Sequence, residues 1–167
     1  SFICCYGAIG KDRKDDYRRP TNMSYTPNSG EAQRVCSAAA TLLGKLAVRD
    51  RAFVECLAST GLRVSDLLAL RWDDIVGGQA VVKQRKLRKS ANGEQREVWE
   101  TVVVVRFSPA AVLALEEYRN TRPRKSEIIF DFCRTTAWGI VKRCGVAAGV
   151  SKFSPHAFRH SLGQRVW

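Results

Sequence analysis

The sequence lacks the features that mark membrane and secreted proteins. No stretch approaches the roughly 20 uninterrupted apolar residues that a membrane-spanning helix needs. The opening segment SFICCYGAIG is too short and too poorly flanked to be a complete secretory signal. No internal repeat is visible, so a repeat architecture is not expected. We therefore expect a soluble intracellular protein with no membrane partner.

The six cysteines also lack a recognisable arrangement. No two of them have the CxxC spacing found in many zinc sites and redox pairs. Cys36 and Cys56 fall inside segments whose apolar pattern is helical. A disulfide framework and a zinc site are therefore not expected, and the cysteines are interpreted as small buried thiols in a reducing compartment.

Positive charge is abundant. The chain has 28 lysine and arginine residues against 16 aspartate and glutamate residues, a net charge of +12, and a pI near 9.9. Such an excess favours a polyanionic partner, although charge alone also fits RNA, an acidic membrane surface or a merely basic soluble protein. With 167 residues, 45% of them hydrophobic, the chain can bury one core, so one domain is expected.

The first 28 residues differ from the rest. They contain KDRKDDYRRPTN and show no sustained apolar period, so residues 1–28 are predicted to be a linker or arm and residues 29–167 the domain. Apolar positions between Ser29 and Thr60 recur at three- and four-residue steps, which predicts two helices with a break near Ala47 to Asp50.

Gly61 is a natural end for the second of these helices. Ser65 is predicted to cap the next helix, with Asp66 near its positive end. Two further helices are predicted to open at the Ser-Pro pairs 108–109 and 154–155.

Between these helices lies a predicted β-hairpin. Its arms are QAVVKQRKLRK and REVWETVVVVRF, and five of the seven residues in KQRKLRK are basic. The hairpin could be an edge strand that its lysines protect from aggregation, or a cationic finger along a nucleic-acid backbone. The predicted fold class is α+β, mainly α-helical with one small antiparallel β-sheet or hairpin.

The last predicted helix carries both histidines of the chain. His156 and Arg159 are three residues apart and share a face, and His160 is four residues from His156. A guanidinium beside an imidazole suits a phosphate, although both histidines could equally be ordinary half-buried residues. A metal site is not expected, because HxxRH lacks the glutamate that the zinc motif HExxH has between its histidines, and the intervening arginine would repel a dication.

Four segments together resemble a known family. They are TGLRVSDLLALRWDDI, the basic hairpin leading into VVVVRFSPAAVLAL, then IIFDF, then AAGVSKFSPHAFRH. In this order they resemble the catalytic domain of the tyrosine recombinases, also called phage-integrase-like site-specific recombinases. The resemblance covers roughly Tyr25 to Trp167, and two separated motifs are far more specific than HxxR alone.

The resemblance implies catalytic roles by position. Arg63 matches the first catalytic arginine, and His156 and Arg159 match the HxxR pair. Asp66 matches the acidic position that supports the first arginine. His160 is expected to be structural.

The resemblance also implies that a hairpin lysine is the general acid. We choose Lys86, with Lys89 second and Lys83 third, from the spacing after Trp72. The basic residues that remain in the hairpin are expected to contact DNA: Lys83, Arg85, Arg88 and Lys89.

The implied reaction is transesterification at a DNA phosphodiester, with a 3′-phosphotyrosine intermediate and no metal or other cofactor. The implied partners are double-stranded DNA and other recombinase protomers, as a tetramer on DNA. The protein would be cytoplasmic and nucleoid-associated in a prokaryote or virus, and nuclear in a eukaryote. The alternatives are a catalytically inactive DNA-binding or regulatory module derived from a recombinase, and a basic RNA-binding protein.

One element of the family pattern is not found. The nucleophilic tyrosine should follow the HxxR helix, yet the four tyrosines lie upstream of it and none matches that position: Tyr6, Tyr17, Tyr25 and Tyr118. The expectation is a catalytic domain without its C-terminal tyrosine segment and without the helical DNA-clamping domain that usually precedes it.

Overall fold

The structure is a computed structural model. It describes residue 25 and residues 27–89, 96–122 and 126–165, with the backbone alone at 29, 85–89, 96–99 and 164–165. Most of the predicted arm over residues 1–28 lies outside the described residues.

Helices dominate the described part of the chain, and one small antiparallel sheet accompanies them, so the predicted fold class is confirmed. None of the described helices combines the length and apolar character that a bilayer crossing requires. The elements in chain order are α1 (Ser29–Ala40), α2 (Ala47–Thr60), α3 (Val64–Leu68), a 3-10 turn (Trp72–Asp74), β1 (Ile75–Val76), β2 (Gln79–Lys89), β3 (Arg96–Arg106), α4 (Pro109–Thr121), α5 (Arg134–Ala147) and α6 (Pro155–Arg165).

The sheet has the order β1-β2-β3, and both pairings are antiparallel. The predicted hairpin forms β2 and β3, with Ala80 opposite Val105. Strand β1 was not predicted. It pairs with β2, and a two-residue turn of Gly77 and Gly78 connects the two strands. The φ angles of these glycines, 58° and 72°, suit the tight turns that join twisted antiparallel strands.

Two helix starts follow the rules of capping. The Ser108 side chain accepts from the Ala111 backbone N–H at 3.2 Å, and Pro109 begins α4, as predicted. At α1, Asn28 and Glu31 form a reciprocal capping box. These contacts satisfy backbone donors that the helices leave unpaired, so the local sequence defines where each helix begins.

The break between the first two helices was predicted in the wrong place. It falls at residues 41–46, whereas the prediction was near Ala47 to Asp50. Leu43 and Leu46 are 97% and 54% exposed, so these apolar residues belong to a loop and not to a buried helix face. Gly44 has a φ of 112°, a conformation that ends helical geometry.

Helix α2 is the centre of the core. It contacts each of the other five α-helices in the described part of the chain, and Phe53 and Leu57 on it are fully buried. Phe53 meets Phe130 edge to face, with ring centroids 5.2 Å apart. Because α2 is held on several sides, its C-terminal end is a fixed point from which the following loop departs.

A buried carboxylate links α2 to α5. Asp50 is 4% exposed, and its Oδ1 accepts from Nε and Nη2 of Arg49 at 2.9 and 2.7 Å. Its Oδ2 accepts from Nη2 of Arg143 at 2.8 Å, across 93 residues of chain. A buried carboxylate requires such partners, and these contacts fix how α5 lies against the core.

Asp50→Asn keeps the size of this side chain but removes its charge. We expect the free energy of unfolding to fall by about 2 to 3 kcal/mol, because Arg49 and Arg143 lose an ionised acceptor. Urea unfolding followed by circular dichroism measures the change. Asp73→Asn is the control, since Asp73 is exposed in the 3-10 turn. Equal losses in both variants would contradict a stabilising role for the buried carboxylate.

Candidate functional site

The site begins where α2 ends. Gly61 closes α2 in the left-handed conformation with a φ of 62°, and its N–H donates to the Leu57 carbonyl at 3.0 Å. The buried Leu62 follows, and Arg63 then occupies the N-cap position of α3 in extended conformation, without a capping hydrogen bond from its side chain. The predicted cap, Ser65, lies within α3, so that prediction is wrong. The chain instead turns at once, which leaves Arg63 at the junction of two helices.

Helix α6 supplies the HxxR pair. It begins at Pro155, with Ala157 and Phe158 buried, and Phe158 packs edge to face on Phe153 at 4.8 Å. This packing directs His156 outward and leaves Arg159 partly exposed. The spacing of three residues thus places both polar side chains away from the apolar face.

Helix α6 also crosses the end of α2 closely. Arg159 Nη1 donates to the Gly61 carbonyl at 3.4 Å, although the two residues are 98 positions apart. A Cβ on Gly61 would lie 2.8 Å from Leu162 Cδ2, closer than carbon atoms approach. Glycine is therefore favoured at Gly61 by its φ angle, and a larger residue would also have to displace the Leu162 side chain of α6.

These elements enclose a cleft of about 180 Å³. Three of the four predicted catalytic side chains line it together: Arg63, His156 and Arg159. The remaining lining residues are Leu62, Val64, Ser65, Pro155, Arg134 and Trp138. The tertiary structure thus brings the two separated motifs of the sequence to one small space.

The charged side chains that line the cleft are arginines. Arg63, Arg134 and Arg159 contribute three guanidinium groups, and no acidic side chain is among the described residues that line it. A guanidinium is permanently charged and offers paired N–H donors that match two oxygens of a phosphate. Such a cleft can bind a phosphate and neutralise charge on its oxygens.

Asp66 lies next to this cleft but does not line it. Its backbone N–H donates to the Arg63 carbonyl at 3.0 Å. Its Oδ2 is buried, and within the described part of the chain it has no hydrogen-bond partner. The predicted support of Arg63 by the Asp66 carboxylate stays a prediction.

The hairpin residues are only partly described. The register places Lys86 opposite Trp99, and Lys83 opposite Val102. Lys83 is exposed and does not line the cleft. The side chains of the other predicted residues lie outside the described part of the structure, so their roles stay predictions: Arg85, Lys86, Arg88 and Lys89.

Neither described tyrosine lines the cleft. The Tyr118 ring stacks on Phe130 at 5.8 Å, and burial raises the pKa of its hydroxyl. The Tyr25 hydroxyl donates to Glu31 Oε2 at 2.7 Å, and burial together with this hydrogen bond raises its pKa to about 12. Tyr6 and Tyr17 lie outside the described residues.

Sequence reasoning missed two cleft residues, Arg134 and Trp138. Both are on α5, four residues apart, and Trp138 is 44% exposed. Their spacing in RTTAW was the available signal, because residues four apart share a helix face. His160, expected to be structural, is exposed, and its ring meets that of His156 edge to face at 5.4 Å.

A larger groove lies elsewhere, with a volume of about 630 Å³ between α1, α2 and α6. Small and polar side chains line it together with Phe158 and Leu162, and none of its described lining residues is a lysine or arginine. Burial raises the pKa of its one carboxyl, Glu55. We assign the functional site by its chemistry and not by volume, because a groove without cations is a poor phosphate site.

Comparison with known proteins agrees with this geometry. The model of the phage integrase family matches residues 28–166. The chain belongs to the phage integrase family.

Curated family members are similar over much of this chain. Tyrosine recombinase XerD of Haemophilus ducreyi is 29% identical over 96% of the chain and 56% of its own length. XerD of Corynebacterium glutamicum is 33% identical over 69% of the chain and 38% of its own length. The chain thus spans about half, or less, of the curated relatives that it matches.

Solved structures share the fold at low identity. The XerH site-specific recombinase bound to difH substrate aligns with a TM-score of 0.62 at 19% identity, over 84% of this chain and 42% of that one. The Tn1549 transposon integrase in complex with circular intermediate DNA aligns with a TM-score of 0.63 at 17% identity. This alignment covers 88% of the present chain and 54% of the integrase chain. Both likenesses show that this chain has the fold of those family members.

Gly61→Ala tests how α2 meets α6. We expect the free energy of unfolding to fall by about 1 to 3 kcal/mol, because alanine is strained at this φ and its Cβ overlaps Leu162. Gly139→Ala is the matched control. Gly139 lies inside α5 with open space around a Cβ, so this variant should gain about 0.5 to 1 kcal/mol. A Gly61→Ala variant as stable as wild type would contradict both the strain at this φ and the overlap with Leu162.

Proposed function

We propose that this chain forms the phosphate-binding catalytic core of a site-specific DNA recombinase. One observation carries the proposal: Arg63, His156 and Arg159 line the same acid-free cleft. Family membership supports the same function, since the relatives XerD and XerH are recombinases. In this proposal residues 29–167 are the catalytic domain, and residues 1–28 are an arm that leads into it.

The proposed reaction exchanges one phosphate ester for another. A tyrosine hydroxyl attacks phosphorus, the bond to the 5′-oxygen breaks, and the strand is held as a 3′-phosphotyrosine until the 5′-hydroxyl reverses the step. Negative charge grows on the nonbridging oxygens as phosphorus is attacked. Arg63 and Arg159 would neutralise it, each contributing on the order of 10³-fold to the rate by analogy with other phosphoryl transfers.

Two protons must move in this reaction. The leaving 5′-oxygen needs a proton, and Lys86 is the proposed general acid, ahead of Lys89 and Lys83. The attacking hydroxyl must lose a proton, and His156 is the proposed group that orients this hydroxyl or exchanges a proton with it. The position of His156 in the cleft beside both arginines supports this role. Asp66 is the proposed support for Arg63. One phosphate ester replaces another in this reaction, so no nucleotide cofactor is needed to drive it.

The described residues account for phosphate binding and charge neutralisation, not for the attack itself. Tyr118 is packed in the core and Tyr25 is bonded to Glu31, so neither serves as nucleophile. We assign the attacking hydroxyl to a tyrosine other than Tyr6, Tyr17, Tyr25 and Tyr118, since none of these four matches the family position that follows the HxxR helix. Without such a tyrosine, the same cleft supports the second function, a DNA-binding module that does not cleave.

The proposed partners are double-stranded DNA and further recombinase protomers, assembled as a tetramer on DNA. The net charge of +12 supports DNA as a partner, because the phosphate backbone of DNA attracts a positively charged protein. The XerH and Tn1549 integrase structures support it as well, since both proteins are bound to DNA. Basic residues of the hairpin would extend the contact: Lys83, Arg85, Arg88 and Lys89.

Arg63→Ala and Arg159→Ala test the phosphate contacts. We expect each variant to bind a short random-sequence DNA duplex about 10-fold more weakly, because each removes a charged hydrogen bond to phosphate. The slope of log K against log salt between about 50 and 200 mM should shrink by about 0.9 per lost contact. Fluorescence anisotropy titrations at several salt concentrations measure both quantities.

Arg34→Ala is the matched control, since Arg34 is an exposed α1 arginine that does not line the cleft. It should change affinity and slope much less. If Arg63→Ala stays folded and binds as the control does, the cleft does not hold DNA phosphate. A second assay incubates the chain with a nicked duplex that carries the recombination site. A covalent protein–DNA adduct indicates cleavage, and binding without an adduct indicates a module that binds DNA but does not cleave it.

A further inference from the structure

The sheet has one face against the core and one face toward solvent. Side chains of a strand point alternately to the two faces of its sheet. On the core face, Ala80 and Val105 are 2% and 7% exposed. On the outward face, Val81, Val102 and Val104 are 59%, 60% and 59% exposed. Valine thus occupies both faces, whereas a sheet with one solvated side normally has polar residues on that side.

The outward valines form one patch. The register places Val81 directly opposite Val104, and Val102 lies two residues away from Val104 on the same face of β3. Val76 of β1 is 75% exposed and pairs with Gln79, two positions before Val81 on β2. Side chains that are directly opposite on neighbouring strands contact each other. An apolar patch that extends over three strands is typical of a surface that another molecule covers.

Charged residues lie at both ends of this patch along β3. The outward face of β3 carries Glu100, Val102, Val104 and Arg106 in that order, and all four are exposed. Six strand positions separate Glu100 from Arg106, which corresponds to about 20 Å. The outward face of β3 is therefore negative at one end, apolar in the middle and positive at the other end.

This order of charges is complementary to itself. A second copy can pack its outward face on the first with β3 reversed, about a two-fold axis midway between Val102 and Val104. Glu100 of each copy then lies over Arg106 of the other, and Val102 lies over Val104, so every contact occurs twice. Packed sheets lie about 10 Å apart, a gap that valines from both sides fill and that an arginine–carboxylate pair bridges at the rim.

A second copy fits this patch better than DNA does. Contacts to a DNA backbone are made by cations and hydrogen-bond donors, and valine side chains supply neither. Two copies bury the valines of both chains and bring opposite charges together at both ends of β3. The complementary charges come from the chain itself, so no third component is needed.

We infer that this chain forms a dimer in solution through the outward face of its sheet. The inference goes beyond the proposed function, because the dimer requires no DNA. None of the described residues that line the phosphate cleft belongs to the sheet, so both clefts stay open in the dimer. Three short strands provide a small interface, of the size found in transient complexes. We expect a reversible dimer with a dissociation constant on the order of 10–100 μM.

Sedimentation velocity of the full chain without DNA measures the association, under reducing conditions so that no disulfide contributes. Between about 1 and 300 μM, the wild-type chain should change from monomer to dimer. The double variant Val102→Thr with Val104→Thr keeps the β-branched shape that strands favour and replaces a methyl group by a hydroxyl at each position. Its dissociation constant should rise about 10-fold or more, because apolar contact at the centre is lost.

Charge reversal tests the two-fold geometry. Glu100→Arg alone places arginine over arginine, and Arg106→Glu alone places glutamate over glutamate. Each variant alone should therefore dimerise about 10-fold more weakly or worse. An equimolar mixture of the two variants should associate as wild type does, because each interface then has two arginine–glutamate pairs. The chain that carries both substitutions should recover for the same reason.

Arg34→Glu is the matched control for Arg106→Glu. Arg34 is an exposed arginine of α1 outside the patch, and its substitution changes the net charge by the same amount. This variant should dimerise as wild type does. The substituted side chains of the sheet are exposed, so the thermal unfolding midpoints of their variants should stay close to that of wild type.

Three results would overturn the inference. A wild-type chain that stays monomeric at about 300 μM does so, including the case in which another segment of the chain covers the valines. A dimer that tolerates both the threonine and the charge variants uses a different surface. A mixture of Glu100→Arg and Arg106→Glu that remains monomeric excludes the two-fold arrangement. The assay contains no DNA, so none of these results bears on the proposed function.

Discussion

The contact between α6 and the end of α2 is the constraint on which the site depends. Arg159 donates to the Gly61 carbonyl, and Leu162 packs where a side chain on Gly61 would otherwise lie. The approach of Leu162 favours a residue without Cβ at this position, and the left-handed conformation is one that glycine adopts at low cost. Because Arg63 follows Gly61 by two positions, one turn of backbone brings the two arginines into one cleft.

The arginines of this protein serve two different purposes. Arg49 and Arg143 neutralise the buried Asp50, and Arg71 and Glu127 form an ion pair at the surface. The cleft arginines face no described acid. Like charges held together without counter-charge repel one another, so this arrangement costs stability until an anion binds. Such a local cost, in a fold held by paired arginines elsewhere, is characteristic of a binding site.

Local features were the most predictable part of the fold. The Ser108 and Pro109 pair begins α4, and the run of β-branched residues in β3 favours the hairpin with β2, because capping and strand preference act over a few residues. The predicted helix break failed because Leu43 and Leu46 are apolar yet exposed. Periodicity indicates which residues could be buried, but burial also requires a neighbouring element, and the sequence does not show where that element lies.

The amino-acid sequence by itself determined the starts of α4 and α6, the hairpin, the excess of positive charge and the pair of motifs around Arg63 and Arg159. Only the tertiary structure decided which cations meet and which are neutralised. Arg134 and Arg143 lie on the same helix, yet one lines the cleft and the other binds Asp50. The physical reason is that side-chain direction on a helix follows from which face the core buries, and that depends on contacts between residues far apart in the chain.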